Sequence, residues 1–414
     1  MTYFSDLKLN KSILKALSEQ GYADPTPIQA QAIPCILKGN DFLGIAQTGT
    51  GKTAAFALPI MQQLMAEAAS LQVNLPRALI LSPTRELAAQ TLANLKHYGR
   101  YTSLKFCAIF GGVNEKPQIR ELRNGIDILV ATPGRLLDLY HRKIFSLKGI
   151  RYCVLDEADR MLDMGFWPDI RKIMKELSTQ RQTMLFSATL PQAIEELVED
   201  FLNHPVRIDI TPPATVAETV EQQLFFIPKS QKQEFLQHVL TDSQCEKVIV
   251  FSKTKYGADR IGRNLRKVNI DNCTLHGDKS QRERQKAIKH FQKGDVNVLI
   301  ATDVASRGID IADITHVINF DLPDEPENYI HRIGRTGRAG KSGVAFSFCD
   351  GSEKRLLRAI EKEIGERIPV VSVKRFWEDF VPQEEPKQAH KAPKRRFYTQ
   401  KGKQKHAKSN KFRA

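Results

Sequence analysis

Apolar residues along the first half of the chain gather into short, near-continuous runs: Arg77–Ser82, Lys105–Phe110, Asp127–Ala131, Arg151–Leu155 and Gln182–Ser187. Between them, apolar positions recur at helical spacing. Such runs alternating with helices predict a parallel sheet covered on both faces, an α/β fold. A second series has strands near Val220–Ile227, Lys247–Phe251, Val296–Ala301, His316–Asn319 and Val344–Phe348. Asp127-Ile-Leu-Val-Ala-Thr132 is echoed by Asn297-Val-Leu-Ile-Ala-Thr302, so two related domains are expected, at 1–208 and 219–380. Between them, 209–218 contains Pro212-Pro213 and little apolar content, the pattern of a linker. Leu9, Ile13, Leu14 and Leu17 predict a helical preface that stops at Gly21.

Polar clusters stand where the first-half strands end, and ligands in such sheets bind at the strand C-terminal ends. The run Ala46-Gln-Thr-Gly-Thr-Gly-Lys-Thr53, which follows the short apolar run Asp41-Phe-Leu-Gly-Ile45, reads as a phosphate-binding loop. Gly49 and Gly51 let backbone N–H groups turn toward an anion, Lys52 reaches terminal phosphates and Thr53 can ligate Mg²⁺. Asp156-Glu157 closes another strand. Asp156 can hold Mg²⁺ directly or through water, and Glu157 can orient or deprotonate the attacking water. Two prolines constrain Gly21-Tyr-Ala-Asp-Pro-Thr-Pro-Ile-Gln29, presenting an amide able to pair with an adenine edge.

In the second half, His331-Arg-Ile-Gly-Arg-Thr-Gly-Arg338 puts Arg332, Arg335 and Arg338 on a glycine-containing turn. With no second phosphate loop there, an arginine finger delivered across the domain interface is expected. Thr84 and Arg85, Gly112, Thr132 with Gly134 and Arg135, and Thr302 offer donors and close backbone approach to a polyanion. Hydroxyls at strand ends also cap helices; their recurrence in both halves is what favours a nucleic-acid track.

The 414 residues carry a net charge of +15, unevenly placed. Pro386–Ala414 holds eleven Lys or Arg and no acidic residue, leaving 51 basic against 47 acidic residues before it, a net of +4. The segment 381–414 is expected to be a disordered basic tail. Six scattered cysteines without a Cys-x-x-Cys pair read as reduced core residues, with no structural metal. Neither a signal pattern nor a membrane-length apolar run occurs, so a cytoplasmic protein without membrane partners is expected.

These motifs, in this order, resemble the DEAD-box RNA helicases of superfamily two, with an overall likeness to the bacterial RhlE-type branch. The resemblance covers about Phe4 to Phe380. It rests on Phe4 and the Gln29 turn, Ala46–Thr53, Pro83-Thr-Arg-Glu-Leu87, Gly111-Gly112, Thr132-Pro-Gly-Arg135, Asp156-Glu-Ala-Asp159 and Ser187-Ala-Thr189. Later matches are Val250-Phe-Ser-Lys-Thr254, Gln281 with Arg284, Ala301–Asp310 and His331–Arg338. Ala46, where the general pattern has glycine, is this family's usage.

The resemblance implies two RecA-like domains, ATP and Mg²⁺ as cofactors, and RNA, single-stranded or in short duplexes, as partner. It implies that Phe4 stacks on adenine, Gln29 bonds its edge, and Ala46, Gln47, Thr48, Gly49, Thr50, Gly51, Lys52 and Thr53 cradle the phosphates. Asp156 would coordinate Mg²⁺ through water, Glu157 would activate water, Asp310 would meet the ribose, and Arg335 and Arg338 would be fingers. Ser187 and Thr189 would couple hydrolysis to the RNA state. Contacts to phosphates and 2′-hydroxyls would prefer RNA with little sequence specificity. A DNA translocase and a non-catalytic ATP-gated RNA clamp are the rival readings. Ribosomal precursors, messenger decay and cold-induced structures are all compatible targets.

Overall fold

A computed structural model describes residues 3–46, 49–67, 73–210, 220–241, 245–303, 311, 313–337 and 342–382. Gln47, Thr48, Asp310, Arg338, most of the expected linker and the basic tail beyond 382 lie outside these residues. After a 3-10 turn at Phe4–Leu7 come α1 (Lys11–Glu19) and α2 (Pro27–Leu37). Asn10 caps α1 by accepting the Ser12 N–H, and Gly21 follows it at φ +74°. Thr26 and Gln29 form a reciprocal capping box at the start of α2, with Pro27 in the first helical position.

The first sheet's strands then alternate with helices: β1 (Phe42–Ile45), α3 (Lys52–Ala66), β2 (Ala78–Leu81), α4 (Arg85–Tyr98), β3 (Phe106–Ile109), α5 (Glu115–Arg123), β4 (Ile128–Ala131), α6 (Pro133–His141), β5 (Tyr152–Asp156), α7 (Ala158–Asp163), α8 (Trp167–Glu176), β6 (Gln182–Ser187), α9 (Gln192–Phe201) and β7 (Val206–Asp209). The order is β3-β4-β2-β5-β6-β1-β7, and every pairing is parallel. Successive side chains serve opposite faces. Ile80, Val130, Val154 and Phe186 enter the core beneath α2, α3 and α4; Leu79, Leu129, Cys153 and Leu185 enter the one beneath α6, α8 and α9. Two cores explain why the strands are apolar throughout. Gly44 in β1 makes room for the Phe42 and Phe186 rings, which a Cβ there would meet at 2.8 and 2.9 Å.

The second sheet contains β8 (Val220–Phe226), β9 (Val248–Phe251), β10 (Asn272–Leu275), β11 (Val298–Ala301), β12 (His316–Asn319) and β13 (Gly343–Cys349). Its helices include α10 (Lys232–Leu240), α11 (Lys255–Lys267), α12 (Gln281–Lys293), Pro326–Ile333 and Lys354–Ile364. The order is β10-β11-β9-β12-β13-β8, again all parallel.

Two strands lie outside the apolar runs read from sequence, β7 and β10. Both are edge strands, and β7 alternates half-buried with exposed residues, so neither needs a continuous apolar run. The Ile210 N–H still donates to Ile45 O at 2.8 Å, which carries the first sheet's hydrogen bonding to Ile210, into the span read as linker.

Candidate functional site

The Ala46 N–H donates to Ser187 O at 2.9 Å, joining the end of β1 to the end of β6. Chain reversal into α3 uses left-handed glycines: Gly49 has φ +89° and Gly51, the residue before α3, φ +90°. Lys52 is buried and its Nζ donates to Ala46 O at 2.7 Å, so the ammonium is held inside the loop. Gln29 is 1% exposed. Its Oε1 accepts from Thr26 N at 2.9 Å, and its Nε2 donates to Gly51 O at 3.1 Å. In this arrangement its amide braces the phosphate loop as well as the start of α2. A Cβ on Gly51 would lie 2.3 Å from that Nε2, so the loop packs too closely there for a side chain.

A cavity of about 420 Å³ opens over this loop, lined by Gly49, Gly51, Lys52, Thr53, Asp156 and Glu157. Tyr22 forms part of its wall, with Gln90, Asn94 and Tyr98 from α4 and Gln292 from the second domain. Phe4 is 4% exposed and packs edge-on to Tyr22, with centroids 6.2 Å apart; Tyr22 in turn meets Tyr98 edge-on. The Tyr22 ring, not the Phe4 ring, lines the cavity. Thr50 is half-buried in the loop between the two left-handed glycines.

Asp156 ends β5 and is 2% exposed. Burial, then the neighbouring Glu157 charge, push its carboxyl up to about 7, while Lys52 and Arg160 act against the rise. Glu157 has φ +55°, in the left-handed region that costs a non-glycine residue energy. Arg160, itself buried, donates to its carboxylate at 2.5 Å and holds it there. Thr53 and Asp156 line one cavity with hard oxygen donors, a set suited to Mg²⁺, and a cation beside Asp156 favours its ionised form.

Asp159 wires this pocket to β6. Its Oδ2 accepts from Ala188 N and Thr189 N, both at 3.0 Å, and from Thr189 Oγ1 at 3.2 Å. Its own N–H donates to Ser187 Oγ at 3.3 Å. Burial raises the Asp159 carboxyl, but Lys52, Arg160 and His331 together outweigh that and hold it below the ordinary value. His331 belongs to the second domain, so the acidic motif already feels charge across the interface.

A second cavity, of about 530 Å³, lies between the domains. Thr84, Arg85, Thr132, Gly134 and Arg135 line it from one side, and Gly277, Lys279, Gln281 and Arg284 from the other. Glu86 bridges the walls: its Oε1 accepts from Gln281 Nε2 at 3.1 Å and from Arg284 Nε at 2.8 Å. Thr84 caps α4, its Oγ1 accepting Leu87 N at 3.2 Å, so the capping role and the cavity wall coincide. Gly112, at φ +73°, leaves space for Arg85; a Cβ there would sit 1.8 Å from its guanidinium. Burial lowers Arg85 below its ordinary value, Arg284 and Arg135 lower it further, and Glu86 opposes them. Converging, partly desolvated cations make this an anion track. Thr302 stands apart from this wall, at the end of β11, its N–H donating to Leu275 O at 3.2 Å.

The two described arginines of the last motif, Arg332 and Arg335, separate. Arg332 is fixed within its own domain: Nε and Nη2 donate to Asp303 at 2.5 and 2.7 Å, and Nη1 to Asn319 and Asp321 O. Arg335 is buried after helix Pro326–Ile333, with Nε donating to His331 O at 3.3 Å. It is outside the wall of the 420 Å³ cavity.

The family model described as DEAD/DEAH box helicase matches residues 26–197, and the helicase conserved C-terminal domain matches 231–340. "DEAD-box ATP-dependent RNA helicase 30" of Arabidopsis thaliana is 42% identical over 374 residues, 89% of this chain; the chain spans 63% of that relative's length. "ATP-dependent RNA helicase RhlB" of Shewanella denitrificans is 41% identical, over 89% of this chain and 86% of the relative. The structure of S. cerevisiae Dbp5 bound to RNA and ADP BeF3 is 31% identical, with 91% of this chain and 97% of that chain covered and a TM-score of 0.81.

Proposed function

The chain belongs to the DEAD-box helicase family, and from that premise we propose that it is an ATP-dependent RNA helicase. In this reading RNA stimulates ATP hydrolysis, the two domains close when ATP and RNA bind together, and closure opens short duplexes and remodels RNA–protein complexes. The observation that carries the proposal is that one helix lines both sites: Arg85 at the start of α4 borders the anion track, and Gln90 and Asn94 border the phosphate cavity. Asp159 joins the phosphate cavity to Ser187 and Thr189, and Glu86 joins the walls of the anion track.

Lys52 and the backbone of Ala46–Thr53 hold the phosphates, with Thr53 and Asp156 taking Mg²⁺. When bound, Mg²⁺ neutralises negative charge on the phosphoryl group in transfer. Glu157, steadied by Arg160, orients and deprotonates the attacking water. Arg335 and Arg338 approach on closure as fingers, an effect worth roughly 10³ to 10⁵ in rate, and Asp310 meets the ribose. Gln29, with Phe4 supporting the aromatic wall, selects adenine. Thr84, Arg85, Gly112, Thr132, Gly134, Arg135 and Thr302 take the RNA backbone. The strand they hold is bent, a duplex cannot follow it, and base pairs are lost locally.

Within the family we assign the chain to the RhlE-type branch on overall sequence likeness; a tree of helicase cores grouping it elsewhere rejects that. We infer a reducing, cytoplasmic setting from the six cysteines, all thiols, of which Cys153 lies in the core with its thiol pushed up to about 12 by burial. Phosphate release measured with RNA, with DNA and with neither tests the function. The proposal requires stimulation by RNA above DNA. Stimulation by DNA without stimulation by RNA selects the DNA translocase, and binding without turnover the clamp.

A further inference from the structure

α11 begins beside the anion track. Thr254 caps it, accepting the Gly257 N–H at 3.0 Å, and Gly257 lets the helix approach Ser252, whose Oγ a Cβ would meet at 2.5 Å. Lys255 pairs with Asp278 at 2.7 Å. One turn later Asp259 meets His276 and Lys279, each at 3.1 Å. These contacts clamp the first turn of α11 onto the loop 276–279, and Gly277 and Lys279 of that loop line the anion track.

Tyr256 occupies this clamped turn and is 74% exposed, more than any other aromatic among the described residues. Lys255 Nζ lies 5.1 Å from its ring centroid. A tyrosine costs apolar surface when left in water, and nothing in the second-domain core draws on it. An exposed ring on a turn fastened to the loop that lines a cationic cleft, with an ammonium beside it, has the chemistry of a stacking platform for a nucleic-acid base. The cleft residues hold a backbone, and the ring offers a π-face to whatever base that backbone presents.

We propose that Tyr256 stacks on a base of the bound RNA strand where it leaves the second domain, adding a base contact to a track otherwise built for phosphates. The inference rests on the RNA-helicase reading. Stacking of this kind tolerates any base, so it adds affinity without sequence preference. Gaining one stacked base contributes about 1 kcal/mol at the low end, a factor of about five in affinity.

The test is fluorescence anisotropy of a labelled single-stranded oligouridine, with a non-hydrolysable ATP analogue, for wild type, Tyr256→Ala and Tyr256→Phe. A second oligonucleotide has the same backbone with abasic sugars. Tyr256→Ala is expected to bind oligouridine about five- to tenfold more weakly, Tyr256→Phe to bind like wild type, and all three proteins to bind the abasic strand equally. Unchanged affinity of Tyr256→Ala for oligouridine overturns the proposal, as does an equal loss on the abasic strand, which assigns the ring to backbone contact or to the fold. Failure of wild type to bind either strand contradicts the RNA-helicase reading itself and is distinct from both.

Discussion

The residue that concentrates the chemistry is Glu157, held at positive φ by its place between β5 and α7 and by the buried Arg160 guanidinium. A strained, buried carboxylate next to the Mg²⁺-binding candidate suits work on water rather than on ligand affinity. Glu157→Gln preserves shape and removes the base, so it is expected to keep ATP and RNA binding while turnover falls by at least about a hundredfold. Single-turnover phosphate release checks this; surviving turnover reassigns the base. The sequence spelled out Lys52, Asp156 and Glu157 because phosphate loops and strand-end carboxylates are local patterns. It did not spell out Arg160, whose partner depends on a left-handed backbone, or Tyr22, whose place in the cavity wall depends on the packing of Phe4 and Tyr98. Arg332 read as part of a basic turn and proves to be a buried brace, because Asp303 and Asn319 reach it only in the folded sheet.

At the scale of elements, strands buried on both faces were legible, as were the edge strands β3 and β8, while the edge strands β7 and β10 were not. β4 and β11 announce themselves as apolar runs, whereas β7 and β10 need only one covered face. Buried charge is equally silent in sequence. Lys232, at the start of α10, donates to Phe320 O, Phe348 O and Glu353, the last a partner 121 residues away, and pairs with Asp350 at 3.4 Å. This node ties α10 to the ends of β12 and β13. Burial acts to raise the Asp350 carboxyl, but the Ser352 hydroxyl, Lys232 and the Ser352 N–H prevail and hold it below its usual value. A depressed folded value means the stabilisation is complete above the unfolded pKa, about 4, and disappears as pH falls through the folded value. Thermal melts of the second domain between about pH 5 and pH 3 are therefore expected to lose stability more steeply for wild type than for Asp350→Asn. Equal slopes refute the role of this node.

Across the whole molecule, the phosphate cavity and the anion track each draw on both domains: Gln292 reaches the phosphate cavity, and Glu86 reaches Gln281 and Arg284. Two domains joined mainly through polar contacts of this kind are expected to separate and dock rather than remain fixed. The basic tail is expected to act at this scale too, through its charge. Removing Pro386–Ala414, with its eleven cations, is expected to weaken RNA binding and to flatten its dependence on salt, while ATPase at saturating RNA holds. Titrations at several salt concentrations check this, and equal slopes count against a tether. The central claim is that the phosphate loop holds only half of a catalytic site, which the second domain completes. Energy transfer between one fluorophore on each domain measures that directly. The account predicts high transfer only when a non-hydrolysable ATP analogue and RNA are both present. Full closure with the nucleotide alone, or no change with both, contradicts it.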